Sequence, residues 1–153
     1  MIGYKIGYKL TDATGKTRGG TQWGPGVTHT VTGTGNRLCS ADCIHDYATP
    51  ELAAFMNPVH ANFSSPLLWR GKGKKAVAND GTKRGWREYT TIEQVTLPQP
   101  TMEQRVEFGI RCSLAIKQPS AYIAWAKHWL SGKDRSTANA DAANVDAAAA
   151  NAH

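Results

Sequence analysis

The sequence predicts an α+β fold: an antiparallel β-sheet, a short helix after the first strands, and a C-terminal helical hairpin packed on one face. Three observations predict it. Apolar residues alternate with polar or small ones early in the chain, turn-forming residues separate those stretches, and the main helix-capping signals come late.

Residues 4–10 alternate as a half-buried strand does. Asp12 to Lys16 supplies turn chemistry after them, so a hairpin is expected there. Residues 21–23 and 27–31 are expected to be β segments broken by Gly24-Pro25-Gly26, and residues 33–36 mark another turn. Later strands are expected at 67–71, 75–78 and 90–95. The first helix signal is Thr49-Pro50-Glu51, a hydroxyl cap before a proline at the first helical position, with Asn57-Pro58 as its stop. Thr101 and Gln104 form a capping-box pattern just after Pro98-Gln99-Pro100 and open a helix to about residue 117. Pro119-Ser120 opens the last helix, over residues 121–130, which Gly132 can end with a positive φ.

The chain has 153 residues, enough for one self-sufficient core, and residues 1–135 read as a single ligand-binding domain. From Ser136 to His153 the sequence is rich in Ala, Asn and Asp with one branched aliphatic residue, and is expected to be a frayed or partly helical tail. No apolar run approaches the ~20 residues of a bilayer span, and residues 1–10 lack the apolar core of a secretory signal. No membrane partner and a cytoplasmic location are therefore expected. Cys39, Cys43 and Cys112 are an odd set, simplest as thiols in a reducing compartment. All 18 Lys and Arg lie at or before Arg135, against 10 of the 12 Asp and Glu, so the body carries +8 and the tail −2. That balance favours anionic partners such as nucleic acid, nucleotides or acidic proteins, although a solvated basic surface explains it as well.

The long helix carries two apolar stripes. At 100° per residue Met102, Val106, Ile110 and Leu114 share one sector, which is expected to pack on the sheet. Phe108, Cys112, Ala115 and Ile116 occupy another, which needs either the terminal helix or a second subunit to cover it; a homo-oligomer interface is the preferred reading. Arg105 and Arg111 lie about 60° to either side of Phe108. An aromatic face can stack on a base and planar guanidiniums can grip phosphate oxygens in pairs, so nucleotide binding is one reading. Plain core packing of Phe108, with the arginines paired to Glu103 or Glu107, is the other.

Cys39-x-x-x-Cys43-x-His45 has zinc-ligand chemistry but no second pair; a fourth ligand would need a distant histidine such as His29 or His60. Cys43 with His45 or His60 could be cast as nucleophile and base, yet no nucleophile, metalloprotease or phosphate-loop signature accompanies them. No enzyme activity, metal or cofactor is expected. Arg70-Gly71-Lys72-Gly73-Lys74-Lys75 and Lys83-Arg84-Gly85-Trp86-Arg87, flanked by Trp69 and Trp86, suit an anionic ligand with stackable bases, or a charged sheet edge. Lys16, Arg18, Gln22 and Trp23 repeat that theme.

Several strings together resemble the phage-encoded Thoeris anti-defence protein 1 family. They are Tyr8-Lys9-Leu10-Thr11-Asp12, Gly20-Thr21-Gln22-Trp23-Gly24 with Val27-Thr28-His29, and Leu38-Cys39-Ser40 with His45 and Tyr47. To these add Asn57-Pro58-Val59-His60-Ala61-Asn62, Leu68-Trp69, the stretch from Leu97-Pro98 to Gln104-Arg105, and Trp125-Ala126 followed by Trp129 through Ser136. The match spans most of residues 4–136. It implies a non-enzymatic, phage-type sponge that sequesters a cyclic ADP-ribose isomer, glycocyclic ADP-ribose, and leaves it intact. It further implies homo-oligomers, dimers or assemblies of dimers, with ligand held at a subunit interface, and in some members a second site for cyclic oligonucleotides such as cyclic trinucleotides of the related CBASS defence. For such a ligand the chemistry of the side chains, rather than a position-by-position match to the family, suggests Arg105 and Arg111 for the diphosphate, Phe108 for stacking or interface packing, and His60 and Asn62 for polar contacts. Lys16, Arg18, Gln22 and Trp23 would form a weaker second group. A nucleic-acid-binding domain, or an enzyme acting on ADP-ribose or cyclic nucleotides, are the alternatives.

Overall fold

A computed structural model describes residues 3–133, 135 and 136; residues 137–153, which hold nearly all of the expected tail, lie outside the described residues. Among the described residues it is an α+β fold with a five-stranded antiparallel sheet and three α-helices. The described residues fall into two compact units, one ending at Pro100 and the other beginning at Thr101.

The first unit is built on a long hairpin, β4 (Leu67–Asn79) and β5 (Arg84–Val95). β1 (Lys5–Thr11) pairs with the outer edge of β4, and the other edge of β5 takes two three-residue strands, β2 (Thr28–Thr30) and β3 (Ile44–Asp46). This corrects the expectation of a hairpin after β1. The turn at Asp12 forms, and Lys16 bridges to Gln22, but the long-range partner of β1 is β4. Residues 21–23 contribute only that bridge.

β4 also runs unbroken through the glycines and lysines that suggested two separate strands. The glycines are there for packing. A Cβ on Gly73 would lie 2.2 Å from the Trp86 ring, and one on Gly71 2.5 Å from the Tyr89 ring and 2.6 Å from the Thr90 carbonyl. Removing side chains on one face of β4 thus lets the large rings of β5 lie across it. On the opposite parity, Arg70 pairs with Glu93 and Lys74 with Glu88, each at 3.0 Å. Trp86 and Tyr89 join Trp23 and Ile44 in the core, with Val27 and Val31 packed against them.

The deepest polar contact is an ion pair. Asp46 is fully buried and receives Arg84 Nε at 2.9 Å and Nη2 at 2.6 Å. Nη2 also donates to the carbonyls of Ile6 and Tyr47. β1 crosses this pair at Gly7, where a Cβ would stand 1.7 Å from Asp46 Oδ2. Tyr8 and Tyr47 exchange backbone hydrogen bonds alongside.

Helix α1 (Pro50–Met56) starts as expected, with Thr49 Oγ1 accepting from Leu52 N–H. Pro58 does not stop it cleanly. Lacking an N–H, it breaks the i→i−4 ladder, and residues Asn57–Ala61 continue as a π-helical turn closed by Asn62 N–H donating to the Asn57 carbonyl. The left-handed φ of 52° at Asn62, tolerable for asparagine, then turns the chain away.

In the second unit, α2 (Met102–Ser113) and α3 (Ser120–Leu130) pack on each other. The Val106–Ile110–Leu114 stripe meets Ala126, Trp129, Tyr122 and Trp125 of α3. Met102, the first member of that stripe, stays exposed.

Removing one partner of a buried ion pair strands the other, whereas an exposed pair contributes little. Arg84→Met is therefore expected to destabilise the first unit by about 3–5 kcal/mol, and Arg70→Met by less than about 1 kcal/mol. Urea unfolding midpoints of the two variants check the contrast.

Candidate functional site

Thr101 and Gln104 cap α2 reciprocally, Oγ1 accepting from Gln104 N–H at 3.1 Å and Oε1 from Thr101 N–H at 2.9 Å. The cap sets the rotation of the helix, and with Ile110 turned to α3 the opposite sector presents Arg105, Phe108 and Arg111 together. Both arginines are exposed and Phe108 is half-buried. Arg111 folds back on Glu107, with Nε and Nη2 2.8 and 2.7 Å from Oε1. An i,i+4 pair this open to water is worth only tenths of a kcal/mol, so a competing anion can displace the carboxylate. Arg105 has no acidic partner among the described residues, and Glu103 is taken by Arg135, which also lies over the Trp129 ring. Cys112, Ala115 and Ile116, the rest of the second stripe, remain exposed.

His60 and Asn62 sit in the first unit, on the π-helical turn and its end. The His60 ring stacks on Tyr47 at 5.9 Å between centroids, and Tyr47 OH lies 3.3 Å from His60 Nδ1. Burial lowers the pKa of His60 from its ordinary value. The structure joins to this turn a residue that the sequence assigned to a separate group: Arg18 Nε donates to the Ala61 carbonyl at 2.6 Å. Lys16, Arg18, Gln22, His60 and Asn62 are thus associated within one unit through that contact, while Arg105, Phe108 and Arg111 belong to the other. Gln22 is held by its amide donating to the Thr14 and Trp23 carbonyls.

Trp23 does not fit the role given to it. It is 3% exposed, edge-on to His29 and Tyr89, with Lys9 Nζ 4.7 Å from its ring centroid. Its faces are used by the core and cannot stack on a ligand. Trp69 and Trp86 beside the basic runs are buried likewise, Trp69 Nε1 donating to Thr11 Oγ1 at 3.0 Å.

Around His45 the sequence missed the organising groups, Lys9 and Lys83. Lys9 is buried, donates to the His45 carbonyl at 2.8 Å, and is pushed down to about 8 by desolvation, which the Asp46 charge offsets in part. His45 Nε2 accepts from Cys39 N–H at 3.0 Å and lies 3.5 Å from Cys43 Sγ, so its other nitrogen carries the proton of a neutral ring. Burial, then Lys9 and Lys83, push its pKa down to about 4. Nothing in the local sequence signalled this, because Lys9 and Lys83 are distant along the chain. The three cysteines are free thiols, and no group of three or more metal-ligating side chains is placed to hold a metal among the described residues. Cys43 is buried and burial raises its pKa, which is poor placement for a nucleophile.

Comparison of the chain with protein-family models, with curated proteins and with solved structures finds no match. No helix among the described residues is long and apolar enough to cross a membrane.

The lowered pKa of His45 has a definite sign. Between about 6.5 and about 4 the unfolded chain takes up a proton that the folded His45 refuses, so stability is full above this window and is lost as pH falls through it. Because the ring is only partly buried, the expected contribution is about 1–2 kcal/mol rather than the full linkage value. Unfolding midpoints from pH 7 to pH 4, compared with those of His45→Gln, should show a shallower loss in the variant.

Proposed function

We propose that the chain is a sponge: it captures a cyclic ADP-ribose isomer, holds it without reaction, and so withdraws a phosphate-bearing signal from its receptor. The observation that carries this reading is the sector of α2 on which two exposed guanidiniums flank a half-buried aromatic ring. Arg105 and Arg111 would take the diphosphate oxygens and Phe108 would lie against the base or the packing around it. Arg111 already grips a carboxylate oxygen through two donors, the geometry a phosphate would use. The resemblance to the Thoeris anti-defence protein 1 family points the same way.

A second copy of the chain is part of the proposal. The first stripe of α2 is covered by α3, while Cys112, Ala115 and Ile116 of the second stripe stay open beside the same arginines. A homo-oligomer that covered them would also enclose the ligand, which a small molecule requires for tight binding. Within the first unit, Lys16, Arg18 and Gln22 with His60 and Asn62 are proposed as a separate, weaker polar group for a cyclic oligonucleotide.

The nucleic-acid alternative is weakened by its own signals. The tryptophans that were to stack on bases are buried, and Arg70, Lys74 and Arg84 of the basic runs are paired with acids. For a reaction on the ligand, the buried Cys43 is an unsuitable nucleophile. A sponge needs affinity and no transition-state stabilisation.

Incubating the protein with cyclic ADP-ribose isomers, removing unbound ligand and then heating should release the isomer chemically unchanged. A converted product would identify an enzyme instead, and no retention would remove the reading. Arg105→Ala and Arg111→Ala are each expected to weaken binding about 10-fold or more, the loss of a charge-assisted hydrogen bond. Their unfolding midpoints should stay near that of the parent chain, because both side chains are exposed.

A further inference from the structure

Cys39 and Lys83 are 44 residues apart in the chain, and Lys83 Nζ lies 2.5 Å from Cys39 Sγ. Both groups are held from behind. Lys83 follows the turn between β4 and β5, where the Asp80 carboxylate accepts from the N–H groups of Thr82 and Lys83 at 2.9 and 2.8 Å. Cys39 lies in the loop before β3, in the left-handed region at φ 61°, with its N–H on His45 Nε2.

The two groups differ in access. Lys83 is 7% exposed, so its amine is directed at the sulfur and turned from water, whereas Cys39 is exposed. A small oxidant can therefore reach the sulfur from solvent while a buried amine already touches it. Neighbouring Cys43 is a poor competitor for that oxidant. It is buried, its sulfur is engaged at 3.6 Å by the Arg37 carbonyl and at 3.5 Å by His45, and burial raises its pKa.

We propose that Cys39 and Lys83 are a covalent modification site, at which a peroxide links the cysteine sulfur to the lysine nitrogen and staples the loop before β3 to the β4–β5 turn. In the first step the Cys39 thiolate attacks one oxygen of hydrogen peroxide. The O–O bond breaks, the sulfur loses two electrons to become a sulfenic acid, and the other oxygen departs as hydroxide and becomes water by taking up the proton that the thiol gave up. In the second, Lys83 gives up a proton to solvent and the nitrogen lone pair so freed attacks the sulfenic sulfur. The S–N bond forms as the S–O bond breaks, and the departing oxygen takes a proton from nitrogen and leaves as water. One thiol, one amine and one peroxide give one sulfenamide and two waters. Two electrons from an added thiol restore both side chains. Sulfenic acids are known to condense with protein nitrogens in this manner; here the nitrogen is preplaced by the fold.

The test treats the intact chain with hydrogen peroxide, blocks the remaining thiols, and digests it without reductant using a protease that cuts at aspartate. Asp42 then separates Cys39 from Cys43, and Asp80 begins the fragment carrying Lys83. The expected product is a linked pair of peptides lighter than their sum by two hydrogens, with fragmentation placing the bond on Cys39 and Lys83 rather than on Cys112. It should disappear on treatment with dithiothreitol, persist in Cys43→Ser, and be absent from Cys39→Ser and Lys83→Arg. The unfolding midpoint of the parent chain should rise with peroxide, and that rise should vanish in Cys39→Ser. A Cys39–Cys43 disulfide, or sulfinic acid at Cys39 with Lys83 unlinked, overturns the proposal. A linked pair retaining one further oxygen overturns the direct S–N bond and places an oxygen between the two atoms, at the cost of a second peroxide. The decisive reading comes from the unaltered chain, so a variant that fails to fold does not disable the test.

Discussion

The buried pair Asp46–Arg84 is the constraint on which the first unit depends. Taking both charges out of water is costly, and the cost is offset only where every remaining donor finds an acceptor. Here the guanidinium reaches the carboxylate twice and the Ile6 and Tyr47 carbonyls once each. Those contacts tie β1, β3 and β5 together at one point. They also set register: Asp46 faces Arg84, His45 faces Gly85 and Ile44 faces Trp86. A slip of one residue would turn Asp46 away from its partner and Ile44 out of the core. The chemistry outside the sheet follows from the same alignment. Tyr47, next to Asp46, carries the stack with His60, and Lys83, next to Arg84, carries the contact with Cys39.

Elements defined by local chemistry were legible in the sequence. The Thr49 cap, the Thr101–Gln104 capping box and the alternation of residues 4–10 each appear in the structure near their expected places. What was not legible is what depends on partners far along the chain. β3 is three residues long and is a strand only because β5 lies beside it. Gly73 fell in the gap between the strands expected at 67–71 and 75–78, since nothing local says which ring will lie over a glycine. The first half of β5 was likewise hidden, because its charged residues find their roles in partners elsewhere in the chain: Arg84 on Asp46, Arg87 on the loop at residues 35–42 and Glu88 on Lys74. Two guanidinium hydrogen bonds from Arg87 hold that loop, to the carbonyls of Gly35 and Asp42.

The same division runs through the candidate site. Helical spacing alone set Arg105, Phe108 and Arg111 on one sector, because all three belong to one turn-and-a-half of helix and the capping box starts it in register. The grouping of Arg18 with the His60–Asn62 turn spans 43 residues and has no local signature. Aromatic residues misled in one direction. Trp23, Trp69 and Trp86 beside basic residues look like stacking platforms, yet their large rings are buried and supply apolar surface to the core. The lysine and arginine neighbours cover or brace those rings, as Lys9 does for Trp23 and Arg84 for Trp86.

This accounting changes what the net charge of the body means. Arg84 is neutralised in the interior, Arg70, Lys74 and Arg135 are paired at the surface, and Lys9 and Arg87 are committed to backbone carbonyls. These six of the 18 basic side chains are engaged within the chain, which leaves fewer of them for a polymer of phosphates, whose binding rests on releasing many counterions. Cations that remain for a ligand must act locally, a few at a time, with geometry in place of number. On α2 the spacing of Arg105 and Arg111 about Phe108 meets that requirement for a compact anion carrying one base and few phosphates, which is why the proposed partner is a small cyclic nucleotide and not a nucleic acid.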